Sequence, residues 1–439
     1  MDFLASLLWN PILSIVYLEL GVIVLFLTGA VAWRKSFGVF RTVWTKEKNE
    51  DKKHQISHVN AFMATLAASI GVGNLAGVGT AIHLGGPGAL FWMWVSALFG
   101  MSFRMCATYL AVKHGPDDHL SPSFATPMAY LEKFLSGKWK WVPIAVAGLI
   151  LTKGFVTANL IQSNSVAHAL HHEYDIPNIV VALFLTVAVA FVILGGLMSI
   201  VRYSTKIAPL MILIYITTGL MILVSDPART VDLLGSVFYY AFNPWAFAGG
   251  VAGYTVLEAM QFGVSRGVFS HGSGIGVSPF LHGANKDHPA TGAYMAALTP
   301  VVDTLIVCTI TGLVILSSGY WKDLTGAFLT VQSYEIHMGK TGGFFVILCL
   351  GLFAFTTIIN WAYFAEKCFR YIGGKNIVVF RYIFLITTFC GPFFTIPFIW
   401  SLGDVLIGLL IIFHLFPLLY VLLIKVKSVR EDLTVHPKS

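Results

Sequence analysis

The chain has 439 residues, of which 56% are hydrophobic and only 11% charged, with a formal net charge of +7. An ordinary soluble domain carries about 25% charged residues, and a soluble fold of this composition would leave large apolar patches in water, so that class is excluded. No basic patch with interleaved aromatics argues for nucleic acid, and the positive balance reads as Lys and Arg collected on one side of a bilayer.

The long apolar runs are each about 20 residues or more, enough to cross roughly 30 Å of hydrocarbon. They predict eleven membrane helices, at about 13–33, 58–83, 88–113, 140–170, 177–200, 206–225, 237–260, 291–318, 343–368, 377–398 and 401–424. The first reads as a span rather than a cleaved leader, because no basic stretch precedes it and Arg34 and Lys35 follow it. The segment after it continues with Arg41, Lys46, Lys48, Lys52 and Lys53. The loop expected between 200 and 206 carries Arg202 and Lys206, and the tail carries Lys425, Lys427, Arg430 and Lys438. With these inside, the loops at 171–178 and 225–230 lie outside, and Arg229 is their only Lys or Arg. An odd number of spans then places the N-terminus outside and the C-terminus in the cytoplasm.

Two helices carry signs of a break. Residues 69–80 read SIGVGNLAGVGT, with Gly71, Gly73, Gly77 and Gly79 at mid-membrane depth. Small residues at this density serve close helix packing equally well. If the helix is broken, however, the second half begins with free N–H groups and a partial positive charge, which together bind a carboxylate, and the carbonyls freed on the other side bind a cation. The helix at 237–260 carries Pro244, Gly249, Gly250 and Gly253, which either break or merely kink it. With the first helix set aside, these are the first and sixth of ten, the positions expected in two inverted five-helix repeats with a midplane site between them. Residues 261–288 contain Gly263, Gly267, Gly272, Gly274, Gly276 and Gly283, too many for a stable lipid-exposed helix, and are expected as a folded cytoplasmic loop.

Further polar groups lie at membrane depth. Gln162, Ser163 and Asn164 line up in the third core helix, Asp303 and Thr304 in the seventh, and Thr356, Thr357, Asn360, Trp361 and Glu366 in the eighth. An intramembrane carboxylate such as Asp303 is a functional candidate by default, with an internal ion pair or helix cap as the ordinary alternative. The five cysteines, Cys106, Cys308, Cys349, Cys368 and Cys390, are scattered through apolar segments and read as small core residues. No GxSxG, HExxH or phosphate-loop motif suggests an enzyme.

Several runs together resemble the alanine or glycine:cation symporters. They are GVGNLAGVGTAI at 71–82, GGPGALFWMWVSALFGM at 85–101, QSNS at 162–165, RGVFS at 266–270, the His288-Pro289 pair and FAFTTIINWAY at 353–363. The resemblance implies an all-α polytopic membrane protein of the leucine-transporter type, forming a single transmembrane domain over 1–439. It has one extra N-terminal helix (13–33), a first repeat at 58–225 and a second at 237–424. It implies a symporter of the prokaryotic inner membrane, not an enzyme, that imports a small neutral amino acid with a sodium ion. Proton coupling, a different small amine or amino acid, or a transport-deficient sensor are the alternatives. Carried over by position, the amides of Val72 and Gly73 hold the substrate carboxylate, and Asn74 contacts substrate or ion. Gln162, Thr357 and Trp361 line the pocket; Gly249 and Gly250 join it from the reading of the second candidate break, not from the resemblance. Ala67, Ile70 and Phe353 give carbonyls, and Thr356 and Thr357 hydroxyls, to sodium. Two departures stand out. The family carries Ser-Asn-Glu-Ala-Gly where this chain has Ser270, His271, Gly272, Ser273 and Gly274, and a Glu where this chain has Ala107. Both are expected on the cytoplasmic side, away from the midplane site.

Overall fold

The computed structural model describes residues 5–6, 8–47, 56–118, 121, 123–244, 255–283 and 289–434. Described residues in regular structure are helical throughout. Among the described residues seven helices are long and apolar enough to cross a membrane, and a pair bent by 64° makes an eighth. Two shorter apolar helices, Asn178–Ile193 and Ile377–Phe393, accompany them.

Helix α1 (Pro11–Thr28) starts where the Asn10 side chain accepts from the Leu13 amide and ends on left-handed Gly29. The chain then re-enters a helix, α2 (Val31–Glu47), so the basic segment expected as a loop is helical at least to Glu47, and Lys48, Lys52 and Lys53 lie outside the described residues. The first broken span follows as α3 (His58–Ser69) and α4 (Ala76–Gly85). Beyond it come α5 (Gly88–His114), the short α6 (Met128–Phe134), and α7 (Val142–Phe155), which runs through a π turn into α8 (Ile161–Tyr174). Next are α9 (Asn178–Ile193) and α10 (Gly196–Ser225). The turn between these two falls at Gly195 and left-handed Gly196, so Arg202 and Lys206 sit on a helix rather than in the expected loop.

The main correction concerns the sixth core helix. The chain forms α11 (Pro227–Tyr240) and then α12 (Val256–His271), not one helix over 237–260. Gly249 and Gly250 lie outside the described residues. Helix α12 opens on a reciprocal cap, Thr255 Oγ1 accepting from the Glu258 amide while Glu258 Oε2 accepts from the Thr255 amide at 2.8 Å. It is buried along most of its length against α5 and α4. The glycine content that suggested a loop is a packing seam. A Cβ on Gly263 would lie 2.4 Å from the Ala89 carbonyl oxygen, and one on Gly267 2.3 Å from Ser96 Oγ. Glycine is costly in a lipid-exposed helix, but at this spacing it lets two buried helices meet backbone to backbone. The break itself lies further on, at the left-handed Gly272, Gly274 and Gly276, before the short α13 (Pro279–His282).

The rest comprises α14 (Pro289–Ala297), a π segment at Val301–Cys308, α15 (Thr309–Ser318), α16 (Gly326–Met338), α17 (Lys340–Tyr371), α18 (Ile377–Cys390), α19 (Ile396–Leu410), a π turn at Ile411–Leu415 and α20 (Phe416–Thr434). The core sits among α3, α5, α7, α12 and α17, while Phe184, Phe191 and Leu213 on α9 and α10 are exposed, as lipid-facing side chains are. Arg266 on α12 forms a bidentate pair with Asp404 on α19, at 2.9 and 2.6 Å, both nearly buried. This pair and the stack of Phe269 on Trp400, centroids 4.8 Å apart, tie the two helices together.

Candidate functional site

A broken helix inside a membrane must have its freed backbone groups met by protein. The first break, at 70–75, meets that demand with side chains from three other elements and one of its own. Thr357 on α17 donates to the Ile70 carbonyl at 3.3 Å, and Trp361 donates its indole N–H to the Ala68 carbonyl at 3.2 Å. Gln162 on α8 accepts from the Val72 amide at 3.0 Å. Thr330 on α16 donates to the Leu75 carbonyl at 3.1 Å. Asn74 closes the turn from within by accepting from the Gly71 amide at 2.9 Å. Its other end donates to Asp303 Oδ1 at 2.9 Å, and Ser270 and Thr304 donate to Asp303 Oδ2 at 2.8 and 2.7 Å. Asp303 is therefore a fully hydrogen-bonded carboxylate that holds the Asn74 turn against α12. That is closer to the ordinary cap expected of it than to an exposed binding group.

The second break is supported in the same way. Arg104 on α5 donates to the His271 carbonyl, placing a cation at the negative end of α12. His414 Nδ1 donates to the Gly274 carbonyl at 2.6 Å, and Tyr17 reaches the Ser273 carbonyl at 3.4 Å. Between the two breaks lies a small cavity. Its wall includes Gly71 and Gly73 from the first break, Phe269, Ser270 and Gly272 from the second, and Lys153, Gln162, Thr357 and Trp361 from the helices across.

Of the residues expected at the site, Gly73, Gln162, Thr357 and Trp361 therefore border one cavity. Val72 and Asn74 lie buried just behind it, with Asn74 fully engaged by Gly71 and Asp303. Gly71 has no room for a side chain: its Cβ would lie 2.8 Å from Thr357 Oγ1 and 3.0 Å from Gln162 Oε1. Of the residues expected around a cation, Ala67 and Ile70 lie at the end of α3, where a helix leaves its last carbonyls without intrahelical partners. Phe353, Thr356 and Thr357 are buried on α17; Thr357 reaches the Ile70 carbonyl, Thr356 Oγ1 lies 3.2 Å from the Phe353 carbonyl, and the Phe353 ring packs on Tyr215 of α10. Three carbonyls and two hydroxyls suit a hard cation. The thioether of Met211, 3.6 Å from Thr356 Oγ1, borders this cluster from α10.

Several residues escaped the sequence reading. Lys153 is a lysine inside an apolar run, a signal as strong as Asp303 by the same rule. Ser270, the last residue of the RGVFS run, and Gly272 just beyond it were assigned to a loop. Since Gly272 lines the cavity, the departure from the family pattern at 270–274 falls at the site and not on a remote cytoplasmic surface.

A broken span and the end of a second buried helix, facing each other across one cavity, fit a fold of the leucine-transporter type. Solved structures agree on the fold. MhsT in complex with L-phenylalanine matches with a TM-score of 0.55 at 12% identity, covering 87% of this chain and 100% of that one. A mutant of the Eremococcus coleocola manganese transporter matches with 0.54, also at 12% identity, over 88% of this chain and 87% of that one. Residues 1–436 match the profile described as the sodium:alanine symporter family, and the chain belongs to that family. The sodium/alanine symporter AgcS of Methanococcus maripaludis is 37% identical over 95% of both chains. The probable sodium/glutamine symporter GlnT of Bacillus subtilis is 29% identical, covering 93% of this chain and 85% of its own. The protein is a multi-pass membrane protein and a cation-coupled amino-acid symporter, and its relatives are transporters rather than enzymes.

Proposed function

We propose that the protein imports a small neutral amino acid together with sodium across the prokaryotic inner membrane. The observation that carries this reading is the meeting of the two breaks across one cavity bordered by Gln162, Thr357 and Trp361. The substrate carboxylate takes the amides of Val72 and Gly73, replacing Gln162 Oε1 at the first of them. Thr357 and Trp361 limit the side chain. The part first given to Gly249 and Gly250 passes to the Phe269–Gly272 stretch at the second break. Sodium binds the carbonyls of Ala67, Ile70 and Phe353 and the hydroxyls of Thr356 and Thr357.

In this reading α1 is the extra helix, and the two repeats begin at α3 and α12. Exchanging the expected 237–260 span for the broken α12–α13 span keeps the count at eleven, with the N-terminus outside and the C-terminus in the cytoplasm. Support comes from the basic segments themselves. Lys35 on α2 donates to the Leu433 carbonyl at 3.3 Å, so the segment after α1 and the C-terminal tail share one side.

One sodium moving down about 100 mV gains roughly 2.3 kcal/mol, and a tenfold gradient adds about 1.4 kcal/mol. Their sum concentrates a neutral substrate several hundredfold. Uptake of labelled alanine, glycine and serine into proteoliposomes tests the reading. An inward sodium gradient is expected to drive accumulation above the external concentration. Accumulation driven only by a proton gradient, or saturable binding without flux, would contradict it.

A further inference from the structure

We infer that Lys153 is a specificity residue that selects amino acids whose side chain ends in an oxygen acceptor over those with an apolar side chain. The inference rests on the amino-acid reading of the cavity and specifies the end group of the side chain, with the net charge of that end left to the test.

Lys153 lies on α7, is 5% exposed and borders the cavity. A charged ammonium at membrane depth is costly, and proteins normally pair it. Among the described residues no carboxylate lies within ion-pair distance of it. Among the described residues Nζ donates to Thr157 Oγ1 at 2.8 Å and lies 4.0 Å from the centroid of the Trp361 ring. An ammonium has three donors. One goes to Thr157, the ring face covers a second side, and the cavity borders the rest.

Arg104 also borders the cavity, on the side of the second break, with one N–H on the His271 carbonyl and its Nε without a partner among the described residues; the uncharged donors are committed elsewhere. The Trp361 indole N–H goes to the Ala68 carbonyl and the Thr357 hydroxyl to the Ile70 carbonyl. Gln162 Nε2 donates to the Thr157 carbonyl at 3.2 Å, and Thr157 Oγ1 donates back to the Lys153 carbonyl at 3.1 Å. The α-carboxylate has its own place at the first break. Lys153 touches Trp361, the residue that limits the side-chain end, so its remaining N–H groups serve that end. A methyl group there would leave a desolvated ammonium without a partner. A hydroxyl, carboxamide or carboxylate oxygen would complete its shell.

The test is competition binding to the purified full-length protein in sodium, using serine and its methyl counterpart 2-aminobutyrate, with asparagine and aspartate as further arms. A hydrogen bond to a charged group corresponds to roughly ten- to a hundredfold in affinity. The wild type is expected to favour serine by that margin, and Lys153→Met to bring the ratio close to one. The asparagine and aspartate arms tell a neutral from an anionic acceptor, and tighter binding of either than of 2-aminobutyrate supports the inference. A wild-type serine ratio near one, with neither asparagine nor aspartate bound more tightly than 2-aminobutyrate, overturns it, and this arm decides even if the variant fails to fold. So does a Lys153→Met protein that is monodisperse but loses serine and 2-aminobutyrate equally, because Lys153 would then serve the shared carboxylate. Absence of binding by any amino acid would instead overturn the amino-acid reading itself.

Discussion

Replacing Asp404 with alanine is expected to cost about 3–5 kcal/mol of stability, because it strands Arg266 as a buried charge without its partner. The pair is bidentate, with N–O distances of 2.9 and 2.6 Å, and Arg266 also stacks on Trp400 at 5.4 Å. Asp404 additionally offers its backbone carbonyl to the Trp9 indole at 2.8 Å, so the joint gathers the N-terminal segment, α12 and α19. The relevant readout is the fraction of detergent-purified protein that stays monodisperse on heating. Asp404→Ala should fall well below the wild type, whereas the double change Arg266→Met with Asp404→Leu should recover most of the loss, since it removes the charge together with its partner. Equal stability of Asp404→Ala and the wild type would mean that lipid or water already solvates Arg266 and that the pair does not anchor α12.

Thr356→Val is expected to raise the sodium concentration for half-maximal transport by roughly ten- to a hundredfold, the size of a lost contact to a charged group. Valine keeps the shape of threonine and removes only the hydroxyl. Folding should change little, because Thr356 Oγ1 spends its hydrogen bonds on its own helix, at the Leu352 and Phe353 carbonyls at 3.0 and 3.2 Å. Phe353, Thr356 and Thr357 have helical i, i+3 and i, i+4 spacing and share one face. That face meets the end of α3 where Thr357 bonds the Ile70 carbonyl. No carboxylate is required at this place, so the acids missing at Gly272 and Ala107 leave it intact. An unchanged sodium dependence in Thr356→Val, at normal protein abundance, would move the cation elsewhere or remove sodium as the coupling ion.

What the sequence disclosed depended on whether a signal was local. The first break was legible because Gly71, Gly73 and Asn74 crowd one short stretch, and the structure closes that turn with Asn74 itself. The second break was misplaced because glycine counts do not distinguish a seam from a break. Gly263 and Gly267 pack against α5, and only Gly272, Gly274 and Gly276 turn the chain. Burial makes the difference, and burial is a property of neighbours far away in sequence. The same holds for Gln162, visible as a polar group at membrane depth but placed at the pocket only through the family resemblance, since its bond to the Val72 amide spans 90 positions. Arg202 and Lys206 suggested a loop through their charge, while the actual turn came from Gly195 and Gly196. Lys153 was visible all along and was passed over because apolar residues surround it.

The most direct measurement of the central claim is a structure of the protein determined with alanine or serine and sodium bound. The account predicts the substrate carboxylate within hydrogen-bonding distance of the Val72 and Gly73 amides. Gln162 Oε1 should be displaced from Val72, and the sodium should lie among the oxygens of Ala67, Ile70, Phe353, Thr356 and Thr357. An amino acid bound away from the first break, or a cation held instead by the Asp303 carboxylate, would contradict it.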